Sequence, residues 1–262
     1  MTPATKRILS RLRIDDFRFV EIESKRRVVP EDMADLRDFI MSRKKVKHEK
    51  ATFFFDQFLD TPDMRLFKAK ASLRLRYKRD GTAVYLQYKG PGFHRGGVLY
   101  RSEFRSERLM ELLQEESHHD IIRFNKTSVA AILKRQGDAP IAQAMRRHLG
   151  DAVVRRVTAA PIISMYQKDK FRLDLGNVFL EPSLDRIFAF HVGRGGVHPL
   201  STFCEYENEV KAKRGWEDDK LDHVGELLAF DARLAASFDM PPEPLDKYHR
   251  CASFFVRSEG AR

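Results

Sequence analysis

The sequence predicts an α+β protein whose centre is a closed antiparallel β-barrel of about eight strands, a size whose interior can hold a small ligand. Covering helices and a helical insert between the two halves complete the predicted architecture. Three observations carry this prediction: strand segments that alternate apolar and charged residues, charged rows of a single sign, and helix-forming segments between and after the strands. With 262 residues, 42% of them hydrophobic, the chain has enough apolar material for one large core.

The first half of the chain opens with a basic segment, residues 1–18, whose weak pattern fits either a short helix or a loose arm. A single domain is predicted to follow over residues 19–256. Its first strand is FRFVEIESKRRV, and Pro30 with the acidic residues behind it predicts a helix through Lys44. The next strand patterns are ATFFFDQFLD, ASLRLRYK, AVYLQYKG and VLYRSEFRSE, joined by predicted turns at TPD, RDGT and GPGFHRGG.

The second half begins with the insert, about residues 106–160, whose composition predicts mainly helix. Strand patterns resume after Pro161, and a helix of good length is predicted from Glu217 to Phe238. The strand segments of this half are IISMYQK, KFRLDL, NVFLEPSLD and FCEYENEVK, and the tail PPEPLDKYHRC closes the domain.

The charged strands carry rows of a single sign. An amphipathic strand usually buries its apolar face and wets its polar one, and that interpretation suffices for any one of these strands. As a set they differ, because Arg74 and Arg76 belong to an all-basic row and Glu205 and Glu207 to an all-acidic one. Same-face neighbours lie roughly 6.5–7 Å apart, so like charges in a row cost energy. Such rows indicate a binding site for ions of the opposite sign.

The segment VEIESKRRV places Glu21, Glu23 and Lys25 on one face of its strand. A solvated edge would tolerate this row, and so would a site for a metal ion and a polyanion. Inside a closed barrel, Lys and Arg would bind phosphates, while carboxylates would hold a divalent cation such as Mg²⁺. Glu21 and Glu23 are therefore predicted metal ligands, and Lys25 is predicted to reach a phosphate.

The formal charge of +10 predicts an anionic partner: nucleic acid, acidic lipid or a phosphate-rich small molecule. Because the basic residues are spread along the chain, a built-in anion site is favoured over a flexible nucleic-acid arm. A non-catalytic module that binds polyphosphate or RNA is the alternative class. No GxxxxGK[ST] motif occurs, which argues against a P-loop.

The two cysteines indicate no disulfide framework. The N-terminal segment has no apolar signal core, and no apolar run reaches ~20 residues. We therefore expect a cytoplasmic protein without a membrane span.

Several motifs, in order, resemble those of the CYTH superfamily, the triphosphate tunnel metalloenzymes. EIESK resembles the ExExK signature, and FLDTPDMRLFKAKASLRLRY resembles the block in which an Asp-Thr-Pro turn leads to an RxR strand. YLQYKGPG and YRSEF resemble the two strands that follow. NVFLEPSLD, EYENEVK and LDKYHR resemble the later acidic strands and the terminal lysine segment. The resemblance covers residues 19–105 well and 160–250 loosely.

The resemblance implies metal-dependent phosphoryl transfer on a triphosphate or polyphosphate, with Mg²⁺ or Mn²⁺ as the cofactor. Catalytic roles fall on Lys25, Glu21 and Glu23. The implied metal ligands are Glu21, Glu23, Asp185, Glu207 and Glu209. Glu205 makes the acidic row one residue longer than ExE, so the pair that binds metal on that strand is left open. The implied substrate-binding residues are Arg74, Arg76, Lys89, Arg101, Lys168, Arg172, Lys211 and Lys247.

Two branches of the superfamily compete for this chain. PIISMYQKDKF and KYHR resemble the polyphosphate-polymerase (VTC) branch, whose members build chains from nucleoside triphosphate. The KGPG turn and the compact size resemble the stand-alone triphosphatases, and Lys168 stands where VTC proteins tend to have Arg. We therefore expect hydrolysis of an inorganic or organic triphosphate, with the polymerase as the alternative. Nucleic acid is a possible but less favoured ligand, because pure nucleic-acid binders need few buried carboxylates.

Overall fold

A computed structural model describes residues 2–78, 84–106, 132–134, 139–193 and 196–260. The predicted RDGT turn lies outside the described residues, and so do residues 107–131 and 135–138 of the predicted insert. None of the helices in the described part of the chain is long and apolar enough to cross a membrane.

The described strands are β1 Val20–Val28, β2 Val46–Asp60, β3 Ser72–Lys78, β4 Val84–Lys89, β5 Phe93–Arg95, β6 Val98–Arg105, β7 Thr158–Leu175, β8 Val178–Gly193 and β9 Gly196–Ala212. Eight of them close into an antiparallel barrel, as the sequence predicts. Their order around the barrel is β1-β9-β8-β7-β2-β3-β4-β6. Pairing between β1 and β6, with Val20 opposite Ser102, closes the ring. A ninth described strand, β5, pairs with β6.

Two strand predictions need correction. GPGFHRGG is not only a turn, because Phe93–Arg95 form β5 and fold back on β6 across Gly96 and Gly97. IISMYQK and KFRLDL form one continuous strand, β7, which already begins before Pro161. The pairing of β7 with β2 shifts register between Gln57 and Leu59, next to this proline. A bulge there accommodates a residue that has no N–H to give to the ladder.

Helices cover the outside of the barrel. Thr2 caps α1, which starts at Pro3, and Ile8, Leu9 and Leu12 of that helix are buried, so the basic N-terminal segment is a packed helix rather than a loose arm. The two longer predicted helices each begin with a 3₁₀ turn, at Pro30–Asp32 and Glu217–His223. The helices are α1 Pro3–Leu12, α2 Met33–Met41, α3 Arg65–Lys68, α4 Pro140–Leu149, α5 Asp151–Val154, α6 Val224–Ala235 and α7 Lys247–Gly260.

The main hydrophobic core lies between the barrel wall and these helices rather than inside the barrel. Ile22 of β1 and Val210 of β9 point outward and are fully buried, in the same cluster as Leu227 and Leu234 of α6. Because successive strand residues face opposite sides, the residues between them point into the barrel. The charged rows are therefore directed inward, where they define the interior.

Candidate active site in the barrel interior

The barrel encloses a polar cavity with a volume of about 600 Å³. Of the residues that the structure describes, eleven Lys and Arg side chains line it, against six Asp and Glu. Four more carboxylates, Glu23, Asp56, Asp185 and Glu205, are buried behind this lining and pair with its cations. The cavity therefore offers a polyanion many cationic contacts rather than a large net positive charge. The basic lining residues are Lys25, Lys50, Arg74, Arg76, Lys89, Arg101, Arg105, Lys168, Lys170, Lys211 and Lys247, and the acidic ones are Glu21, Glu103, Glu181, Glu207, Glu209 and Asp246.

The arginines of β3 are held by a carboxylate from the neighbouring strand β2. Arg76 donates from Nε and from one terminal nitrogen to the two oxygens of Asp56, at 2.8 and 2.9 Å. Arg74 contacts the same carboxylate at 2.9 Å and also donates to Gln87 Oε1. Asp56 is fully buried, and Arg76 also hydrogen-bonds the hydroxyl of Tyr166. This network fixes both guanidinium groups at the cavity wall before any ligand binds.

Arg101 of β6 lies at the centre of three carboxylates. Its nitrogens donate to Glu21 at 2.6 Å, to Glu23 at 2.7 Å and to Asp246 at 3.0 Å. Lys89 of β4 also donates to Glu21, at 2.7 Å. Both carboxylates of the EIESK row therefore face cations of the interior, as the alternation of the strand predicts.

A second acidic group lies further along the interior, on β8 and β9. Asp185, Glu205 and Glu207 place one carboxylate oxygen each within 4.8 Å of one another. We call these three residues the acidic cluster. Lys247, the first residue of α7, lies 2.5–2.7 Å from all three carboxylates. The C-terminal segment thus completes the wall of the cavity.

Two further ammonium groups reach the acidic cluster. Lys168 lies 2.6 Å from Glu207 and 3.1 Å from Asp185. Lys25 lies 2.9 Å from Glu207 and 3.9 Å from Glu23, so it connects the EIESK row to the acidic cluster. Lys25 is directly opposite Glu207 in the pairing of β1 with β9, which explains the short distance.

Burial and charge pairing together set the protonation states of this region. Burial lowers the pKa of Lys25, but neighbouring carboxylates, Glu207 foremost, outweigh it and raise the pKa above its ordinary value. Burial raises the pKa of Glu207, yet the ammonium groups, Lys168 foremost, hold it well below its ordinary range. For Glu205 burial prevails over Lys247, and its pKa is raised. Lys25 is therefore an ammonium and Glu207 a carboxylate at neutral pH.

The donor set of the acidic cluster fits a hard divalent cation. Carboxylate oxygens are the ligands that Mg²⁺ and Mn²⁺ prefer. Oδ1 of Asp185 and both carboxylate oxygens of Glu205 are buried and accept no hydrogen bond within the described residues. Glu205 is compensated by two ion pairs, with Lys247 at 2.5 Å from Oε1 and Arg250 at 3.7 Å from Oε2. Buried carboxylate oxygens that accept no hydrogen bond are chemically suited to bind a cation.

The structure brings most of the predicted site residues together in the interior of the barrel. The cavity is lined by all predicted substrate-binding residues except Arg172. It is also lined by four of the predicted catalytic and metal-binding residues: Glu21, Lys25, Glu207 and Glu209. Glu23 and Asp185 are buried beside it and ion-pair with its cations. Glu209 pairs with Lys211 at 2.5 Å, away from the acidic cluster.

Arg172 is the predicted residue that the structure does not bring to the cavity. It donates to Asp174 at 2.6 Å, and its guanidinium lies 3.6 Å from the ring centroid of Phe179. The register of β2 against β7 shifts between His48 and Lys50, where the strands continue past the cavity. Arg172 thus follows the inward alternation but lies beyond the last lining residue of β7, Lys170.

Other residues of the site carry weaker signals in the sequence. Asp56 is a single acidic residue in the apolar strand FFFDQFL, and an isolated charge in such a strand is a signal for a buried partner. Gln87 shares a strand face with Lys89, but its bond to Arg74 depends on the register of two strands. Asp246 precedes the terminal lysine, and only the packing of α7 brings it to Arg101.

A closed antiparallel barrel with acidic and basic rows on its inner face is the architecture that the motif resemblance implies. The CYTH domain family model matches residues 20–235, and the chain belongs to this family. The family resemblance derived from the motifs is thereby confirmed.

Solved structures share the fold at low sequence identity. The Hippeastrum protein HpAC1, described as a candidate adenylyl cyclase with a dominant triphosphatase activity, is 19% identical over 89% of this chain and 95% of its own, with a TM-score of 0.56. A candidate adenylate cyclase from Bacillus halodurans is 16% identical, with coverages of 88% and 96% and a TM-score of 0.48. The Mimivirus capping enzyme triphosphatase is 9% identical, with coverages of 90% and 98% and a TM-score of 0.43. No curated protein sequence matches the chain significantly.

Proposed function

We propose that the protein is a divalent-metal-dependent triphosphatase that binds the phosphate chain of an inorganic or organic triphosphate inside the barrel and hydrolyses a phosphoanhydride bond. One observation carries this proposal: the acidic cluster, with buried oxygens that accept no hydrogen bond in the described residues, borders through Glu207 the same cavity that arginines oriented by carboxylates line. The family and the triphosphatase activity ascribed to HpAC1 support it.

The basic residues of the cavity would hold the phosphate chain. Arg74, Arg76 and Arg101 can bind phosphate oxygens in a bidentate manner, whereas Lys89 acts as a point charge. Each of them is already paired with a carboxylate. Substrate binding therefore exchanges ion-pair partners rather than burying new isolated charges, which keeps the desolvation cost low.

The acidic cluster would hold the metal ion, with Mg²⁺ or Mn²⁺ as the fitting choices. When bound, such an ion supplies Lewis-acid stabilisation of the charge that develops on the transferred phosphate. Glu21 and Glu23, and Glu209 on β9, stay proposed ligands. Among the described residues they lie outside the compact group of three and pair with Arg101, Lys89 and Lys211.

Lys25 would act on the terminal phosphate. Its ammonium lies between Glu23 and Glu207, and the raised pKa keeps the proton on Nζ at neutral pH. A fixed positive charge at this position can orient the phosphate and offset negative charge as the bond breaks. The proton stays on Nζ, so Lys25 serves as an electrostatic group rather than as a base.

The test is to incubate the purified protein with inorganic triphosphate, thiamine triphosphate and nucleoside triphosphates, each with Mg²⁺, Mn²⁺ or a chelator, and to resolve the products by chain length. We expect shorter products that form only with a divalent cation. Longer chains would instead indicate a polymerase of the VTC type, and binding without turnover, steeply dependent on salt and independent of metal, would indicate a binding module.

A further inference from the structure

A buried carboxylate outside the barrel connects the two strands that carry Lys25 and the acidic cluster. Asp231 lies on α6 and is 1% exposed. Its Oδ1 accepts hydrogen bonds from the Tyr206 hydroxyl at 2.8 Å and from Asn208 Nδ2 at 2.9 Å. Its Oδ2 accepts from the hydroxyl of Ser24. Its three hydrogen-bond donors are neutral side chains on β1 and β9.

The three donors alternate with the residues of the site along their strands. Ser24 lies between Glu23 and Lys25, and is directly opposite Asn208 in the pairing of β1 with β9. Tyr206 and Asn208 are the two neighbours of Glu207 in the sequence. Since alternate residues of a strand face opposite sides, the bonds to Asp231 on the outside hold the backbone positions from which Lys25 and Glu207 point inward.

A buried carboxylate is energetically unfavourable at this position. The same face of α6 otherwise packs apolar residues, Leu227, Phe230 and Leu234, into the core. Burying a carboxylate among neutral donors costs more than burying a leucine. Buried polar groups are best attested as devices that specify register, and a slip of one residue between β1 and β9 would turn Lys25 to the outside.

We propose that Asp231 is a positioning residue, which fixes β1 against β9 from outside the barrel and thereby sets the distance between Lys25 and the acidic cluster. The inference rests on the proposed function for its kinetic readout. Arg74, Arg76 and Lys89 lie on β3 and β4, whereas the three donors to Asp231 lie on β1 and β9. Loss of Asp231 should therefore slow turnover and weaken metal binding while leaving the binding of the phosphate chain nearly unchanged.

The test compares Asp231→Ala, Asp231→Asn and Leu234→Ala in the full chain. Asp231→Asn can keep the bonds from Tyr206 and Asn208, and the Ser24 hydroxyl can turn to accept from the new amide. Leu234→Ala destabilises the same helix without touching the network. We expect Asp231→Ala to lower kcat by about tenfold, in the range for residues that orient metal ligands, with KM for inorganic triphosphate within about twofold of wild type. Asp231→Asn should largely restore kcat.

Mn²⁺ binding, measured by titration without substrate, provides the readout that does not depend on activity. We expect Asp231→Ala to need about tenfold more Mn²⁺ for half-saturation. If wild type is inactive on every triphosphate, the proposed function fails, and the Mn²⁺ shift alone decides this inference. Tyr206→Phe, which removes one bond, should give a smaller change in the same direction and replaces Asp231→Ala if that variant does not fold.

Two results would overturn the inference. One is an Asp231→Ala protein, or the Tyr206→Phe substitute, with wild-type kcat and Mn²⁺ binding. The other is a Leu234→Ala protein that loses as much kcat as Asp231→Ala at an equal loss of thermal stability, because the role of Asp231 would then be that of any core residue.

Discussion

Asp56 holds Arg76 through two parallel hydrogen bonds of 2.8 and 2.9 Å, with the carboxylate fully buried and the guanidinium partly buried in the wall of the cavity. The guanidinium also lies 4.6 Å from the ring centroid of Phe54, so its plane is fixed on more than one side. A site that must bind phosphate quickly benefits from cations whose geometry is set in advance. In return, the buried carboxylate of Asp56 must stay paired, because an unpaired charge there would destabilise the fold.

Removal of the Asp56 carboxylate should therefore destabilise the protein strongly. Asp56→Ala leaves the buried guanidinium of Arg74 and the partly buried one of Arg76 without their shared carboxylate, and we expect a loss of about 3–5 kcal/mol in the free energy of unfolding. Asp174→Ala is the control, because that residue pairs with Arg172 at the surface, where an ion pair contributes about 0–1 kcal/mol. Urea denaturation of both variants measures the difference, and equal losses would refute the buried role of Asp56.

Lys247 compensates the acidic cluster, and a divalent cation should be able to take over that task. We expect Lys247→Met to lower the melting temperature without metal, because three close carboxylates lose their shared ammonium. Millimolar Mn²⁺ should then stabilise the variant more than wild type, since ligand binding to the folded state adds stability. Lys170→Met, whose partner is Glu181, is the control for a general ionic effect. An equal Mn²⁺ shift in all three proteins would contradict the assignment of the cluster as a metal site.

The GPG segment after β4 presses directly on β6. A Cβ atom at Gly92 would lie 2.7 Å from the carbonyl oxygen of Tyr100 and 2.8 Å from Cβ of Arg101. Gly92→Ala should therefore shift the loop or Arg101, at a cost of about 1–3 kcal/mol in stability and with reduced turnover. Gly225→Ala, within α6 and with open space around it, should be neutral or stabilising by up to about 1 kcal/mol. Thermal melts and phosphate release test both, and a Gly92→Ala protein as stable and active as wild type would contradict the contact.

Lys220 makes stability depend on pH in the alkaline range. Its side chain is 5% exposed, donates to the carbonyl of Val20 and lies 5.3 Å from the Phe17 ring centroid. Burial lowers its pKa from the ordinary 10.5 to about 8. In this interval the unfolded chain binds the proton and the folded protein does not, so the stability of the folded state rises with pH from about 8 to 10.5.

Lys220→Met should abolish this contribution. Relative to the variant, wild type should gain on the order of 1–3 kcal/mol between pH 7.5 and 10.5, as expected for a shift of this size. Urea denaturation of both proteins across this range gives the difference and removes contributions from other titrating groups. A constant difference at every pH would show that the pKa of Lys220 is not lowered.

The inward rows were predictable because a strand has a period of two, which the charges of EIESK and EYENEVK display directly. Closure into a barrel followed from the energetics of those rows, which are costly on an open surface and useful around an enclosed ligand. The packing of helix α1 was harder to predict, because its many basic residues obscure the pattern of the apolar residues Ile8, Leu9 and Leu12. Local pattern thus located the site, although it did not define every element around it.

The remaining parts of the site depend on contacts between distant segments. Asp56 meets Arg74 and Arg76 through the register of β2 with β3, and Asp246 meets Arg101 through the packing of α7, neither of which a periodicity encodes. Arg172 is a residue whose face was predicted but whose place in the site was not. Alternation gives the face of a strand but not the point at which the cavity ends. Sequence patterns assign faces, whereas the register and length of strands decide which residues meet.

Hydrolysis of inorganic triphosphate by Glu207→Gln tests the central claim most directly. Glu207 joins the acidic cluster to Lys25, Lys168 and Lys247, and the substitution keeps its size while removing its charge. We predict that phosphate release with Mg²⁺ or Mn²⁺ falls by about 100-fold or more, which corresponds to about 2.7 kcal/mol or more of lost transition-state stabilisation. Asp169→Asn, which alters a carboxylate paired with Arg37 outside the cavity, should stay near wild type. A Glu207→Gln protein that hydrolyses triphosphate at the wild-type rate would contradict the claim that the barrel interior is the active site.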